Sequence, residues 1–296
     1  METDVMISKR KIEVVIPTYN GGKKFYQVAE MLKQQVGITP NDVLIIDSSS
    51  SDQTVQVARN AGFRVQIINK KDFGHGKTRR RAAEQSTAEY IVFMTQDAIP
   101  ASDDSIIQLC KPLMENQNIG VTYGRQLPTP EAGAIGNHAR LFNYPAHSQM
   151  KTKADIPVLG IKTIFCSDSF AAYNRMALIS IGNFMDVNFG EDTLIAAKYI
   201  DAGYVVYYNS TVCVYHAHRL SLMNEMKRYV VIGEFHKKYK MVFDSYRKVS
   251  MEGFSFIKSE LIYLLKGKRI VLIPYALIRN ILKLVGYKYG MMISSN

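Results

Sequence analysis

Cysteine is scarce in this chain: Cys110, Cys166 and Cys213 are the whole complement of 296 residues. They are odd in number, far apart and form no CxxC pair, so nothing indicates a disulfide frame or a zinc site. A reducing, cytoplasmic setting is the expectation. No uncharged apolar stretch approaches the roughly 18–20 residues that a spanning helix needs. Glu2 and Asp4 precede any apolar run, a pattern without a secretory signal. Internal repeats and low-complexity tracts are lacking too. Acidic residues thin out towards the end. From Arg219 onward 15 Lys and Arg face 5 Asp and Glu, which places +10 of the net charge of +11 in that tail. A basic tail on a near-neutral body attracts an anionic partner, with nucleic acid and the membrane surface as the two candidates.

What is present is a full set of core-forming residues. The chain is 47% hydrophobic with 13 Phe and 18 Tyr, enough for one large domain or one domain plus a smaller one. Three short apolar runs end abruptly in polar residues: EVVIPTYNGG at Thr18 to Asn20, VLIIDSSSSD at Asp47, and YIVFMTQDA at Thr95 to Asp97. Such runs, separated by helical stretches, read as buried strands of a parallel sheet. Strands are expected at 13–17, 43–47, 65–69, 90–95 and 120–123, and helices at 25–35, 52–61, 78–85 and 103–115. Asp52 is expected to cap the second helix and Gly62 to follow its end. This alternation predicts right-handed crossovers and a doubly wound sheet. Ligands of such sheets bind beyond the carboxyl ends of the strands, so the three polar breaks fall on one edge.

Residues 125–157, with Pro128, Pro130 and Pro145, read as a long excursion with one helix near 136–143. A strand-like segment at 163–173, a helix at 192–202 and strands at 204–208 and 212–216 follow. The tail from Leu220 is helical. In it Phe254, Phe256, Ile257, Leu261, Ile262, Leu264 and Leu265 interleave with Lys258, Lys266, Lys268 and Arg269, and IVLIPYALI leads into Arg279, Ile281, Leu282, Lys283 and Leu284. These segments, read as too short to span, suit an interfacial helix with its basic residues against anionic lipid. A helical cap on the main domain or on another subunit is the alternative reading.

Several groups carry chemistry. Asp97 ends an apolar run, where a carboxylate either coordinates a hard cation such as Mg2+ or Mn2+ or serves a turn. In FGHGKTRRR, two glycines allow close backbone approach to a ligand. A following helix N-terminus and Arg79 favour a diphosphate. Glu191 and Asp192 stand at a helix start, where an acid also serves as a cap.

The order PTYN, IDSSSSD, GHGKTR, TQDA and Glu191-Asp192 resembles the family-2 glycosyltransferases of GT-A fold, over residues 12 to 220. IDSSSSDQT, FGHGKTR, FMTQDA, YGRQLP, FCSDSFAAY and EDTLIAAK resemble rhamnosyltransferases of bacterial polysaccharide assembly. The resemblance implies a GT-A-type, Rossmann-like, mostly parallel sheet flanked by helices. A catalytic domain spans 1–220, its nucleotide-binding half at about 12–124 and its acceptor-binding half at 125–220. A basic amphipathic helical extension occupies 221–296. Pro17, Thr18, Asn20, Asp47, His75, Gly76, Arg79, Thr95, Gln96 and Asp97 would hold the nucleotide sugar. Asp97 would carry Mg2+ or Mn2+, with His216 as a further metal ligand and His218 as a phosphate donor. Thr95 stands where the family often has a first acid. Asp192 would be the catalytic base, with Ser167, Asp168 and Glu191 at the acceptor.

The implied reaction is inverting transfer of L-rhamnose from dTDP-β-L-rhamnose to a glycan on a polyprenyl diphosphate lipid. The basic tail would hold the enzyme peripherally at the cytoplasmic face of the membrane, with a homo-oligomer as a further possibility. A UDP-hexose or UDP-N-acetylhexosamine donor is the alternative within the family. A non-catalytic, basic, nucleic-acid- or membrane-binding protein is the alternative outside it. Nucleic acid is disfavoured because the tail aromatics are mixed with aliphatics rather than arrayed for stacking. Phosphatase chemistry usually wants a second acid two residues after Asp47, where Ser49 stands.

Overall fold

The computed structural model describes residues 12–218, 221–246 and 252–293, so the expected tail start at Leu220 lies outside the described residues. In chain order the elements are β1 (Ile12–Thr18), α1 (Gly22–Lys33), β2 (Val43–Asp47), α2 (Thr54–Asn60), β3 (Arg64–Ile67), α3 (His75–Gln85), β4 (Tyr90–Met94), β5 (Ile99–Pro100) and α4 (Ser105–Glu115). Then come β6 (Ile119–Leu127), α5 (Gly133–Asn143), β7 (Gln149–Lys151), α6 (Ile156–Leu159), β8 (Phe170–Asn174), α7 (Arg175–Ser180), α8 (Glu191–Asp201) and β9 (Val205–Tyr215). The last helices are α9 (Leu222–Lys238), α10 (Lys240–Ser245), α11 (Glu252–Lys266) and α12 (Ile273–Ile293). Two compact units result. One holds the chain up to Arg125 with Ala146–Ala154 and Thr163–His216. The other holds Gln126–Pro145, Asp155–Lys162 and Ala217–Asn296. Parts of the excursion therefore group with the tail helices.

The first unit is built on a nine-stranded sheet of order β3-β2-β1-β4-β8-β6-β9-β5, with β7 also on β9. Strands β3, β2, β1 and β4 are parallel. Strands β4 and β6 pair β8 antiparallel, as do β5 and β7 with β9, so the second half of the sheet is antiparallel and the whole is mixed. The continuous apolar runs are explained by cover on both faces. Val14, Ile16, Val92 and Met94 pack with Phe25, Val28, Ala29 and Leu32 of α1, Ala58 of α2 and Ile106, Leu109, Cys110 and Leu113 of α4. These helix positions recur every three or four residues, as one buried stripe requires. Phe93, one residue out of phase, meets Phe184 and Tyr173 on the other face. Full burial of each such side chain is worth about 1.5–3 kcal/mol.

Three expectations change in this unit. Gln53, not Asp52, holds the N-cap position of α2, while Asp52, just before it, accepts from Thr54 N through Oδ1. Residues 163–169 are not strand: a 3-10 turn ends at Ile164, and β8 begins only at Phe170. The two runs expected at 204–208 and 212–216 are one strand, β9. Its polar middle is satisfied in place, since Ser210 N donates to Ser148 Oγ and Ser210 Oγ donates to the Ala146 carbonyl.

In the second unit α9 and α12 run parallel. Glu225 meets Arg279 and Lys283, Met226 meets Gly286, Val230 meets Gly290, and Lys237 reaches the Met292 carbonyl. Glycine permits this approach: a Cβ on Gly290 would lie 2.0 Å from the Val230 carbonyl oxygen, and one on Gly233 2.3 Å from that of Tyr287. The inward face of α12 is Ala276, Arg279, Lys283, Gly286 and Gly290. Its outward face is mostly apolar, with Leu277, Ile278, Ile281, Leu284, Val285, Tyr289 and Met292 all exposed, and Lys288 is exposed among them. The usual polarity is thus reversed, charge inside and hydrocarbon outside. Arg279 donates twice to Glu225 at 2.9 Å, and its Nη1 lies 3.5 Å from Glu260. Arg279 and Lys283, expected to face lipid, are turned inward because the buried Glu225 and Glu260 need them. The tail segments expected to be too short also join into one helical run. Residues Ile270–Ile293 are long and apolar enough, at mean hydropathy 1.5, to cross a membrane by length and composition. Pro274 falls in the first turn of α12, where proline does not break a helix.

Candidate active site

The sheet edge is assembled from the polar residues that end β1, β2 and β4. The β1/β2 register sets Thr18 beside Asp47 and Pro17 beside Ile46. Asp47 is fully buried, and its carboxylate is held by three hydrogen bonds. It accepts from Thr18 Oγ1 at 2.7 Å, Ser50 Oγ at 2.6 Å and Ser50 N at 2.7 Å. Asn20 stitches the same two loops together, its side chain accepting from Ser51 N while its own N–H donates to Ser50 Oγ. Gln96 joins β1 to β4: Tyr19 N donates to its Oε1 at 2.8 Å and its Nε2 donates to the Tyr19 carbonyl. Thr95 donates its backbone N–H to Ser169. These residues shape the edge chiefly by holding one another. The open face there is Tyr19, exposed, with Lys70 Nζ 3.0 Å from its hydroxyl and 4.3 Å above its ring. Neither residue was singled out from sequence, although Tyr19 lies inside PTYN.

Asp97 stands just beyond β4, half-buried, with Oδ1 3.3 Å from His216 Nε2. The pairing of β5 with the end of β9, Ile99 opposite Tyr215, brings them together from 119 residues apart in sequence. A carboxylate oxygen and an imidazole nitrogen at this spacing form half of a divalent-cation site, a mixed set that suits Mn2+ and accommodates Mg2+ with waters. His218 follows two residues along the chain, in the second unit.

Gly74, Gly76, Thr78 and Arg79 of the GHGKTR segment are buried, whereas His75 is exposed. Gly76 N donates to the Val187 carbonyl at 2.9 Å, and a Cβ on Gly76 would sit 1.8 Å from the Met185 carbonyl oxygen. Gly76 is therefore the bed on which residues 185–187 rest, immediately before Glu191 and Asp192. Arg79 is 2% exposed. Its Nη1 donates to Glu191 Oε1 at 2.8 Å and its Nε lies 3.1 Å from Asp168 Oδ2. Burial opposes its charge, but Glu191, Asp168 and Asp192 outweigh that and keep it protonated. Its guanidinium has no surface left for a diphosphate. His75 lies 3.3 Å from Arg79 Nη1 with one side of its ring open to solvent; desolvation of the packed side, with Arg79, depresses its pKa against the pull of Glu191.

The acids expected at the acceptor divide by environment. Glu191 and Asp168 are buried and committed to Arg79; Asp168 also accepts from Tyr173 Oη at 2.5 Å. Asp168 is pushed up to about 6, by burial first and then by Glu191, against the pull of Arg79 and the Tyr173 hydrogen bond. Ser167 is half-buried beside it. Asp192 is half-buried, and its Oδ1 accepts from Thr193 N at 2.7 Å. Desolvation, then the charges of Glu191 and Asp168, raise its pKa to about 8, against the opposing charge of Arg79. Burial and its acidic neighbours make this carboxylate, when ionised, a stronger base than a free aspartate.

A helix-flanked sheet with a parallel first half, polar loops at its carboxyl edge, an Asp–His pair there and two acids at a helix start match a glycosyltransferase of GT-A type. The family model "Glycosyl transferase family 2" matches residues 13–182, and the chain belongs to that family. It is 41% identical over 283 residues to the O-antigen chain rhamnosyltransferase RfbN of Salmonella typhimurium, covering 95% of this chain and 89% of that protein. It is 36% identical over 279 residues to the O-antigen chain rhamnosyltransferase WbaN of Salmonella anatum, covering 94% and 88%. Among solved structures it resembles the mannosyltransferase PcManGT of Pyrobaculum calidifontis, determined with GDP-Man and Mn2+. That match has a TM-score of 0.65 at 15% identity and covers 95% of this chain and 87% of that one.

Proposed function

We propose that this glycosyltransferase moves L-rhamnose from dTDP-β-L-rhamnose to a lipid-linked glycan in bacterial polysaccharide assembly, with inversion at the anomeric carbon. The rhamnosyltransferase relatives, matched along nearly their whole length, support the sugar. The observation that carries the chemistry is Asp192, a half-buried carboxylate in the first turn of α8 whose Oδ1 is fixed by Thr193 N and whose pKa is raised by burial and its acidic neighbours. Asp192 takes the proton of an acceptor hydroxyl as that oxygen bonds to the anomeric carbon. The bond from that carbon to the diphosphate breaks, its electron pair leaves with dTDP, and the linkage becomes α. The loops around Asp47, Asn20 and Gln96 orient the nucleotide at the edge, with Tyr19 offering a face to the base, and positioning supplies much of the rate. Asp97 and His216 would hold a divalent cation, which when bound neutralises charge developing on the departing diphosphate.

The outward face of α12 supports a location at the membrane. Ile278, Ile281, Val285 and Met292 are exposed along one side, and Lys258, Lys266, Lys268, Arg269 and Lys288 are exposed on the same unit. A contiguous exposed apolar stripe with basic neighbours matches an anionic lipid surface. A lipid-linked acceptor would be met there. The deciding experiment is a nucleotide-sugar screen by thermal shift with Mn2+ present. Selective stabilisation by dTDP-β-L-rhamnose is expected through binding linkage. Selective stabilisation by a UDP-hexose would replace the donor.

A further inference from the structure

Arg79 itself has no ligand-facing surface, yet Asp168, Glu191 and His75 all gather around it. We propose that Arg79, clamped between Asp168 and Glu191, is a positioning residue that fixes the turn bearing Asp192 and balances the negative charge around it. The inference rests on the reading of Asp192 as the base.

The geometry supports it from two directions. First, α3 is anchored to the approach to α8 at two points: Gly76 supports residues 185–187 through backbone contact, and Arg79 Nη1 holds Glu191, the neighbour of Asp192. Second, the charge count is unequal. Around Asp192 lie Glu191 on its own helix, Arg79 from α3, Asp168 and Cys166 from the segment before β8, and Tyr173 on β8, and His75 of α3 lies 4.0 Å from Glu191. His75 and Cys166 are held towards their neutral forms, and Tyr173 stays protonated, donating to Asp168. Three carboxylates thus share a single permanent cation. Arg79 is the one member whose loss makes the surroundings of Asp192 more negative. Loss of Asp168 or Glu191 makes them more positive and also frees Arg79. A packing role would weaken the structure in all three cases without distinguishing their sign.

The sign is what the test reads. The full-length protein, labelled at aspartate 13Cγ, is titrated by NMR without substrate, the Asp192 resonance being assigned by its disappearance in Asp192→Asn. Arg79→Gln should move the Asp192 midpoint up by about one pH unit or more, and Asp168→Asn and Glu191→Gln should each move it down by a similar amount. Arg79→Lys retains the charge and should leave the midpoint near wild type. It should nevertheless lower kcat more than it changes KM, because a lysine cannot reproduce the guanidinium fork between two acids. Midpoints that stay put, or that all move in one direction, overturn the proposal. If Arg79→Gln fails to fold, the near-isosteric Asp168→Asn and Glu191→Gln decide alone, and no downward movement in either overturns it. Failure of the underlying reading is separate: Asp192→Asn with wild-type turnover removes Asp192 as base, whatever the titrations show.

Discussion

Replacing Arg279 with Met tests the reversed polarity of α12. Arg279 makes two 2.9 Å hydrogen bonds to Glu225, and its Nη1 stands 3.5 Å from Glu260, while Lys283 Nζ is 3.3 Å from Glu225. Glu225 is 6% exposed and Glu260 is fully buried. Two acids and two bases therefore balance inside the second unit. Removing the guanidinium leaves Glu260 with Asn280 as its remaining partner, at 2.6 Å, and Glu225 with Lys283 alone. Breaking a buried pair by deleting one partner costs about 3–5 kcal/mol. Removing both, as Glu225→Met with Arg279→Met, leaves Glu260 and Lys283 still balanced and should cost clearly less, since replacement of a whole pair by apolar side chains is often near neutral. Urea unfolding followed by circular dichroism measures both variants at constant slope. A single-variant loss below about 1 kcal/mol, or a double variant less stable than the single, would refute the buried-quartet account.

The other expectations can be checked with purified protein. Ile278→Glu, Ile281→Glu and Val285→Glu together should release the protein from anionic vesicles and leave its unfolding midpoint nearly unchanged, because all three side chains face outward; retained vesicle binding would move the contact elsewhere. Gly76→Ala should be destabilising by about 1–3 kcal/mol, since its methyl group collides with backbone rather than a movable side chain; an unchanged midpoint would contradict the packing described for residues 185–187. Asp192 has a folded pKa raised above its unfolded value, so the folded state holds a proton that the unfolded state releases as pH rises between about 4 and 8. Its contribution therefore turns unfavourable across that window, and Asp192→Asn should raise Tm at pH 8 while leaving it unchanged near pH 4. A lower Tm at pH 8 would reverse the sign of the argument.

Much of the parallel half of the sheet was legible because β1, β2 and β4 are covered on both faces, and such strands must be apolar throughout. Their polar ends then mark the working edge without further information. The residues at that edge were harder to assign. Asp47 and Arg79 stand at the expected positions, but a sequence does not tell whether a charged side chain faces a ligand or its neighbours. Thr18 with Ser50 in one case, and Glu191 with Asp168 in the other, claim them. The two glycines of GHGKTR were expected to admit a ligand, whereas the group that approaches Gly76 is the 185–187 backbone, distant in sequence. The Asp97–His216 contact depends on the short β5 pairing, which no periodicity signals. In α12 the information was present. Positions 279, 283, 286 and 290 share one helical face and 278, 281, 285 and 292 another, so charge and glycine on the first already marked it as the packed side.

A single-turnover transfer assay on Asp192→Asn, alongside a measurement of donor affinity in Mn2+, addresses the chemistry most directly. Loss of a general base predicts a rate lower by about 10²–10⁴-fold with dTDP-β-L-rhamnose bound as tightly as by the wild type. Wild-type transfer by this variant would contradict the account.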